Sequence, residues 1–266
     1  MIKQSFSFWG FAGRGVDDLT LLREAKAIGY DGVELLDPSL FPAAIDAGLT
    51  IVSHMGHGSI GVGLNDPSRH AQVEEEIHAN LETAVKYGIP SLIVFSGDRR
   101  PGLTDAEGLD HTALGLSRVA KAAEDAGVTL LLELLNSKVD HKGYQADHTA
   151  LAVEVCKRVG SPRVKVLYDI YHMQIMEGDL IRTIQGNHEH IGHYHTAGVP
   201  GRGGIDPDTQ EISYAPVFRA IAETGYAGYV GHEFVAQDDP VSMLEAAYAL
   251  TRAAVNLGDS FFEITA

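Results

Sequence analysis

Short apolar runs recur along the chain, each separated from the next by a longer segment of mixed character. Runs this short, bounded by glycine, proline or polar residues, are typical of strands buried in a parallel sheet. The runs predict eight strands, over residues 5–9, 32–36, 50–54, 91–96, 129–132, 164–168, 191–195 and 228–233.

The segments between the runs place apolar residues at helical spacing and commonly end at glycine, which favours the C-terminal end of a helix. In the first segment, Leu19, Leu22 and Ala25 form an apolar face and Gly29 ends the helix. Near the middle of the chain, Asp179 is the predicted N-cap of a helix. The pattern predicts helices over residues 16–28, 41–47, 67–87, 109–126, 147–159, 180–188, 214–224 and 240–257.

Strand and helix therefore alternate eight times, with no linker-like segment and no break in composition. Such alternation predicts a parallel sheet, and the 266 residues match the roughly 250 that are typical of an eight-stranded barrel. We predict a single (β/α)8 TIM barrel, forming one domain over residues 1–266. A doubly wound open sheet is the alternative that the same pattern allows.

Composition and charge narrow the range of partners. The chain has 36 acidic and 20 basic residues, and its net charge of −16 disfavours nucleic acid and anionic lipid. No basic segment followed by an apolar stretch opens the sequence, and no run resembles a membrane span, so neither a signal peptide nor a membrane location is expected. The single cysteine, Cys156, lies in an apolar helical pattern. It is expected to be a buried thiol in a cytoplasmic protein.

Ionisable side chains close the last four predicted strands, which end in Glu133, Asp169, His195 and Glu233. Active sites of parallel barrels are built where the strands end, and side chains alternate along each strand. We therefore expect these four groups to meet at the C-terminal mouth of the barrel. Carboxylates this close repel one another unless a cation lies between them, so the pattern predicts a divalent-metal site.

Three carboxylates and one imidazole form a fairly hard set of ligands. Mn²⁺ or Mg²⁺ suits this set best, with Co²⁺ or Zn²⁺ as further candidates. The alternative is a set of purely structural roles, in which Asp169 merely caps a turn. His193 is interpreted as a residue that orients His195 or packs in the interior, and not as a ligand.

Four other positions near predicted strand ends leave alternatives open. His54 ends the third strand and His57 lies in the loop after it. For each of them the sequence allows either contact with the substrate or a position on the surface. Phe8 and Trp9 end the first strand. We interpret these two aromatic residues as barrel packing, with an apolar wall over a substrate as the alternative.

Several segments resemble hydroxypyruvate isomerases. The similar segments are Tyr168-Asp-Ile-Tyr-His-Met-Gln174, Glu177-Gly-Asp-Leu180, Leu132-Glu-Leu-Leu-Asn136, Ile191-Gly-His and Val199-Pro-Gly-Arg202. The resemblance covers nearly the whole chain and extends to the xylose-isomerase-like barrels, which include ketose 3-epimerases and inosose dehydratases. It implies one Mn²⁺- or Mg²⁺-type site held by Glu133, Asp169, His195 and Glu233, with the two glutamates also acting as the acid–base pair. It further implies that His172 and Arg202 bind substrate oxygens.

The resemblance implies isomerisation of a small α-hydroxycarbonyl compound through an enediolate, in this case hydroxypyruvate to tartronate semialdehyde. The chain departs from those isomerases at Leu134-Leu135, where they commonly have Pro-Ile, and at His195, where they commonly have glutamine and the sugar epimerases have histidine. The extra loop glutamate of the epimerases is also missing, and Asp140 is the nearest acid. A ketose 3-epimerase or related keto-sugar isomerase is therefore the alternative. The remaining alternatives are an inosose dehydratase-type lyase, a phosphodiesterase resembling AP endonucleases and a barrel that only binds sugar.

Arg202 bears on the choice of substrate. It lies in a glycine-rich loop seven residues beyond His195, and the loop is expected to fold over the barrel mouth. A guanidinium can hold a carboxylate through two parallel hydrogen bonds, and hydroxypyruvate has a carboxylate whereas a neutral ketose has none. A solvated arginine is the alternative. The expected partner is thus a small keto acid or keto sugar, and the sequence is compatible with a homo-oligomer.

Overall fold

Eight strands close into a barrel in the order of the sequence, with β1 beside both β2 and β8. The computed structural model describes residues 2–262. The strands are β1 Lys3–Ser7, β2 Gly32–Glu34, β3 Thr50–Met55, β4 Ser91–Val94, β5 Thr129–Glu133, β6 Val164–Asp169, β7 Ile191–Thr196 and β8 Tyr229–His232. The barrel predicted from the sequence is confirmed, and the open sheet is excluded.

Helices follow the strands along the chain. They are α1 Asp18–Ile28, α2 Phe41–Asp46, α3 His70–Tyr87, α4 Asp105–Ala126, α5 Thr149–Val159, α6 Ile170–Met176, α7 Leu180–Asn187, α8 Tyr214–Glu223 and α9 Pro240–Phe262. No helix within residues 2–262 has the length and apolar character that crossing a membrane requires.

Two helix starts differ from the sequence prediction, one in its position and one in its capping. Helix α4 begins at Asp105, before the predicted residue 109, because Thr104 and Glu107 form a reciprocal capping box at its start. At α7 the predicted N-cap interaction is wrong, because the side chain of Asp179 makes no capping hydrogen bond. It lies instead 3.2 Å from Nε of Arg182.

Packing groups the residues into two compact units whose boundaries fall inside β3 and β7. The first unit contains β1, β2, β8 and the end of β7, together with α1, α2, α7, α8 and α9. The second contains most of β3, the strands β4 to β6 and the helices α3 to α6. The prediction of one domain over residues 1–266 stays a prediction.

Aromatic side chains form much of the core of the first unit. Phe6 of β1 packs edge-on against Phe11 and Tyr30, with ring centroids 5.6 and 5.5 Å apart, and Phe11 packs against Phe234 at 4.9 Å. The hydroxyl of Tyr30 donates a hydrogen bond of 3.0 Å to the carbonyl oxygen of Leu244 in α9. These contacts fix the chain segments that follow β1 and β8.

Aliphatic side chains fill the core of the second unit. Ile93 of β4 pairs with Leu131 of β5, and both are buried. Cys156 of α5 is also buried, which confirms the predicted buried thiol. Burial raises the pKa of this thiol to about 12. At neutral pH the side chain is therefore an unreactive apolar group.

Candidate active site

The four predicted metal ligands are all buried at the carboxyl ends of their strands. The exposed fraction is 5% for Glu133, 1% for Asp169, 0% for His195 and 3% for Glu233. Each residue offers one ligand atom, and these four atoms lie within 4.8 Å of one another. The sequence-predicted residues thus form a carboxylate–histidine cluster with the donor atoms of a divalent-metal site.

Asp169 both caps a helix and belongs to the cluster. Its Oδ1 accepts a hydrogen bond of 3.0 Å from the backbone N–H of His172, in the first turn of α6. Its Oδ2 lies 3.7 Å from Nε2 of the His172 ring. Capping therefore does not exclude a functional role, because the two carboxylate oxygens allow one side chain to have both.

His172 is fully buried and is held by the loop after β5. Its Nδ1 lies 2.6 Å from the amide nitrogen of Asn136, which also donates to Oδ2 of Asp140 over 2.6 Å. The hydroxyl of Tyr171 donates to the same Asp140 oxygen over 2.8 Å. Because an amide nitrogen only donates, Nδ1 of His172 accepts, and the ring proton lies on Nε2 toward Asp169. The predicted contact of His172 with substrate stays a prediction.

Glu233 is held by three side chains of the first unit. Trp9 Nε1 donates to Oε1 over 3.2 Å, Arg202 donates to Oε2 over 2.7 Å, and His195 Nδ1 lies 3.1 Å from Oε2. Burial raises the pKa of Glu233, but the charges of His195 and Arg202 outweigh it and hold the pKa well below its usual range. Glu233 is therefore ionised and oriented before any ligand binds.

Arg202 is tied into the site by its backbone as well as its side chain. Its carbonyl oxygen accepts a hydrogen bond of 2.8 Å from the N–H of Val235, and the Gly198 N–H donates to the Gly203 carbonyl oxygen over 2.7 Å. Its guanidinium lies 5.1 Å from the centre of the Trp9 ring. The solvated loop arginine is excluded, since only 19% of the side chain is exposed.

Trp9 is a site residue that the sequence analysis assigned to barrel packing. It lies in a 3-10 helix over Phe8–Gly10, after β1 has ended. Phe8 is buried as predicted, but 41% of Trp9 is exposed, and its ring contacts Arg202 while its N–H binds Glu233. The packing interpretation is therefore right for Phe8 and wrong for Trp9.

Glu34 is a second site residue, and the sequence analysis did not identify it. It ends β2, is fully buried and accepts a hydrogen bond from the Ser5 hydroxyl. Its Oε2 lies 3.2 Å from Nε2 of His195. The signal that could have found it is the one used for the other carboxylates, because Glu34 also closes a buried strand.

The other three histidines considered in the sequence analysis differ in burial. His57 is 1% exposed, and its Nε2 accepts a hydrogen bond of 2.9 Å from the backbone N–H of Phe95. A surface position is therefore wrong for His57, and burial lowers its pKa. His193 is buried, and its interpretation as a residue that orients His195 or packs in the interior stays a prediction. His54 is partly buried.

Comparison with known proteins agrees with this architecture. Residues 22–254 match the sequence model of the xylose isomerase-like TIM barrel family. The 2-oxo-tetronate isomerase of Cupriavidus necator is 34% identical over 222 residues, which are 79% of this chain and 84% of that protein. The hydroxypyruvate isomerase of Escherichia coli is 32% identical over 168 residues, which are 62% of this chain and 64% of that protein.

Among solved structures, the AP endonuclease, family 2 from Brucella melitensis has a TM-score of 0.81 and 28% sequence identity. The match covers 92% of this chain and 97% of that one. The family match and the two isomerases agree with the resemblance seen in the sequence. The chain therefore belongs to the xylose isomerase-like TIM barrel family.

Proposed function

We propose that this protein is a metal-dependent isomerase of small α-hydroxy keto acids, converting hydroxypyruvate to tartronate semialdehyde. The observation that carries the proposal is the pair of Arg202 and Glu233, whose charged groups are 2.7 Å apart. A guanidinium that can hold a substrate carboxylate thus lies beside an ionised carboxylate that can accept a proton. The names of the relatives from Cupriavidus necator and Escherichia coli, both keto-acid isomerases, support this substrate class.

The chemistry of the cluster supports a resident divalent cation. Glu133, Asp169 and Glu233 bring three buried carboxylates together with His195, and such a group is costly unless positive charge offsets it. Oxygen-rich ligands of this kind favour Mn²⁺ or Mg²⁺. When bound, the cation would polarise the substrate carbonyl and stabilise the enediolate.

The two glutamates supply the proton transfers. One of Glu133 and Glu233 takes a proton from the hydroxyl-bearing carbon of the substrate, and the other returns a proton to the former carbonyl carbon. The oxygens exchange a proton between them, so the net change is a shift of the carbonyl by one carbon. If the proton returned to the opposite face of the same carbon, the product would be an epimer. That outcome defines the alternative, a ketose 3-epimerase.

A substrate panel tests the proposed function. The purified protein, loaded with Mn²⁺, is offered hydroxypyruvate, 2-oxo-tetronate, fructose, tagatose and psicose. We expect kcat/KM to be highest for the keto acids because they alone carry the carboxylate that Arg202 can hold. Treatment with EDTA should abolish turnover, and added Mn²⁺ should restore it.

Three results would contradict this proposal. Preferential turnover of the neutral ketoses would establish the epimerase alternative. Turnover that persists after complete removal of metal would overturn the role of the cation. Binding of the sugars without turnover of any substrate in the panel would identify a barrel that only binds.

Arg202→Lys is expected to raise KM for a keto acid roughly 10- to 100-fold, because lysine keeps the charge but loses the paired hydrogen bonds. The same change should alter KM for a neutral ketose far less. Steady-state kinetics with both substrates on the same variant measure the difference.

The paired measurement also separates two roles of Arg202. The side chain binds Glu233, so any disturbance of that carboxylate affects both substrates and cancels in the ratio of their KM values. Arg118→Lys is a matched control, since Arg118 pairs with Glu74 between α4 and α3. If Arg202→Lys and Arg202→Ala leave keto-acid kinetics unchanged, Arg202 does not bind the substrate carboxylate.

A further inference from the structure

Glu34 is a buried carboxylate for which the proposed reaction has no use. It ends β2 and has no exposed surface, so direct contact with solvent does not stabilise its charge. Its Oε1 accepts a hydrogen bond from the hydroxyl of Ser5, and its Oε2 lies 3.2 Å from Nε2 of His195. A charged group in such a place is costly unless these contacts offset the lost hydration.

The strand register leaves a specific space for this carboxylate. Gly231 of β8 pairs with Ser5 of β1 on one side and with His195 of β7 on the other. A Cβ atom on Gly231 would lie 2.4 Å from Oε1 of Glu34 and 2.9 Å from Cδ2 of His195. Only glycine at this position therefore lets the Glu34 side chain reach the imidazole.

The two nitrogens of His195 face different carboxylates. Nε2 faces Glu34, whereas Nδ1 lies 3.1 Å from Oε2 of Glu233, a proposed metal ligand. A carboxylate beside one ring nitrogen keeps the proton there and leaves the lone pair on the other nitrogen. Glu233 is itself a proposed ligand, so a cation there would replace the ring proton on Nδ1, while the hydrogen bond to Glu34 keeps the other proton on Nε2. Nδ1 is then the atom that can bind the cation, and the contact with Glu34 fixes the plane of the ring.

We propose that Glu34, supported by Ser5, is a positioning residue that presents Nδ1 of His195 to the metal. This inference rests on the proposed metal site and adds a residue to it. Loss of a partner that orients a ligating histidine typically weakens metal binding roughly 10- to 100-fold. Glu34 should therefore act on metal affinity although it is not itself one of the four proposed ligands.

The inference is tested by titrating metal-free protein with Mn²⁺ and measuring the heat of binding by calorimetry. For Glu34→Gln we expect affinity to fall roughly 10- to 100-fold, because an amide keeps the shape but can hold either tautomer of His195. Ser5→Ala is the graded comparison, since it removes only the hydroxyl donor to Glu34 and should weaken binding less. The melting temperature of each metal-free variant shows whether the fold is intact.

A second measurement needs no variant. In wild-type protein loaded with diamagnetic Mg²⁺, the ¹⁵N chemical shifts of His195 should show a protonated Nε2 and a metal-bound Nδ1. A protonated Nδ1 would overturn the inference even if Glu34→Gln failed to fold. Wild-type Mn²⁺ affinity in a folded Glu34→Gln variant would overturn it while leaving the metal site standing. Absence of Mn²⁺ binding by the wild-type protein would instead overturn the proposed metal site, and the role of Glu34 with it.

Discussion

Replacing Glu133 or Glu233 with glutamine is expected to lower kcat by a factor on the order of 10²–10⁴, the usual contribution of a general acid or base. Glutamine keeps the size of the side chain but removes the atom that accepts the proton. The loss should fall on kcat more than on KM, because proton transfer occurs only after the substrate has bound. Steady-state kinetics on hydroxypyruvate measure both quantities.

Metal content decides how such a loss is interpreted. Both glutamates belong to the candidate metal cluster, so kcat must be compared at equal Mn²⁺ occupancy, measured by elemental analysis. Glu154→Gln is the matched control and should leave kcat unchanged, because Glu154 pairs with Arg158 on the exposed face of α5. Near wild-type turnover in both active-site variants at full metal occupancy would refute the acid–base pair.

Glu233→Gln is expected to change substrate binding in a way that Glu133→Gln does not. Glutamine at position 233 removes the charge that holds Arg202 at 2.7 Å, so the arginine gains freedom to move. We therefore expect KM for a keto acid to change in Glu233→Gln and to stay closer to wild type in Glu133→Gln. The Arg202 measurements provide the reference for that shift.

The sequence predicted the strands well because their physical signal is local. The sixth strand was predicted over residues 164–168 and ends at Asp169, and the seventh was predicted over 191–195 and ends at Thr196. Short apolar runs with polar ends suffice for such boundaries. The same signal identified Glu133 and Asp169, which end β5 and β6, His195, which is the residue before the end of β7, and Glu233, which follows β8; the structure brings the four together.

Helix α6, over Ile170–Met176, was missed because its start coincides with the functional turn. Asp169 is predicted as a strand-end ligand, and the next helix is predicted only from residue 180. The capping bond to His172 shows that the chain enters a helix at once. A short helix directly after a strand has too few turns to display a clear apolar face.

Glu34 was missed because the second strand was predicted over residues 32–36, which places it inside the strand, whereas β2 ends at Glu34. The contacts of Glu34 and Trp9 could not be predicted because their partners are distant in sequence. Glu34 is 29 residues from Ser5 and 161 from His195, and Trp9 is 224 residues from Glu233. Spacing along the chain says nothing about such pairs. They depend on barrel closure and on the register that sets Gly231 beside Ser5.

Asp169→Asn is expected to remove most bound metal while leaving the metal-free fold nearly unchanged. Asparagine caps helices about as well as aspartate, so its Oδ1 can still accept the backbone N–H of His172. The change removes the negative charge of the carboxylate, whose other oxygen is available to a cation. The loss of Mn²⁺ affinity should exceed the roughly 10- to 100-fold expected when only an outer partner of a ligand is lost.

Asp179→Asn is the matched control for this change, and it makes the experiment specific to the cluster. Asp179 also precedes a helix, but its side chain makes no capping bond and lies near Arg182. A cation that binds only the folded state raises the melting temperature, so added Mn²⁺ should stabilise the wild-type protein and Asp179→Asn alike. In Asp169→Asn the same Mn²⁺ concentration should give little stabilisation, and elemental analysis should find little metal. Stoichiometric metal in both Asp169→Asn and His195→Ala would mean that the cation binds elsewhere, because two of the four ligands would then be dispensable.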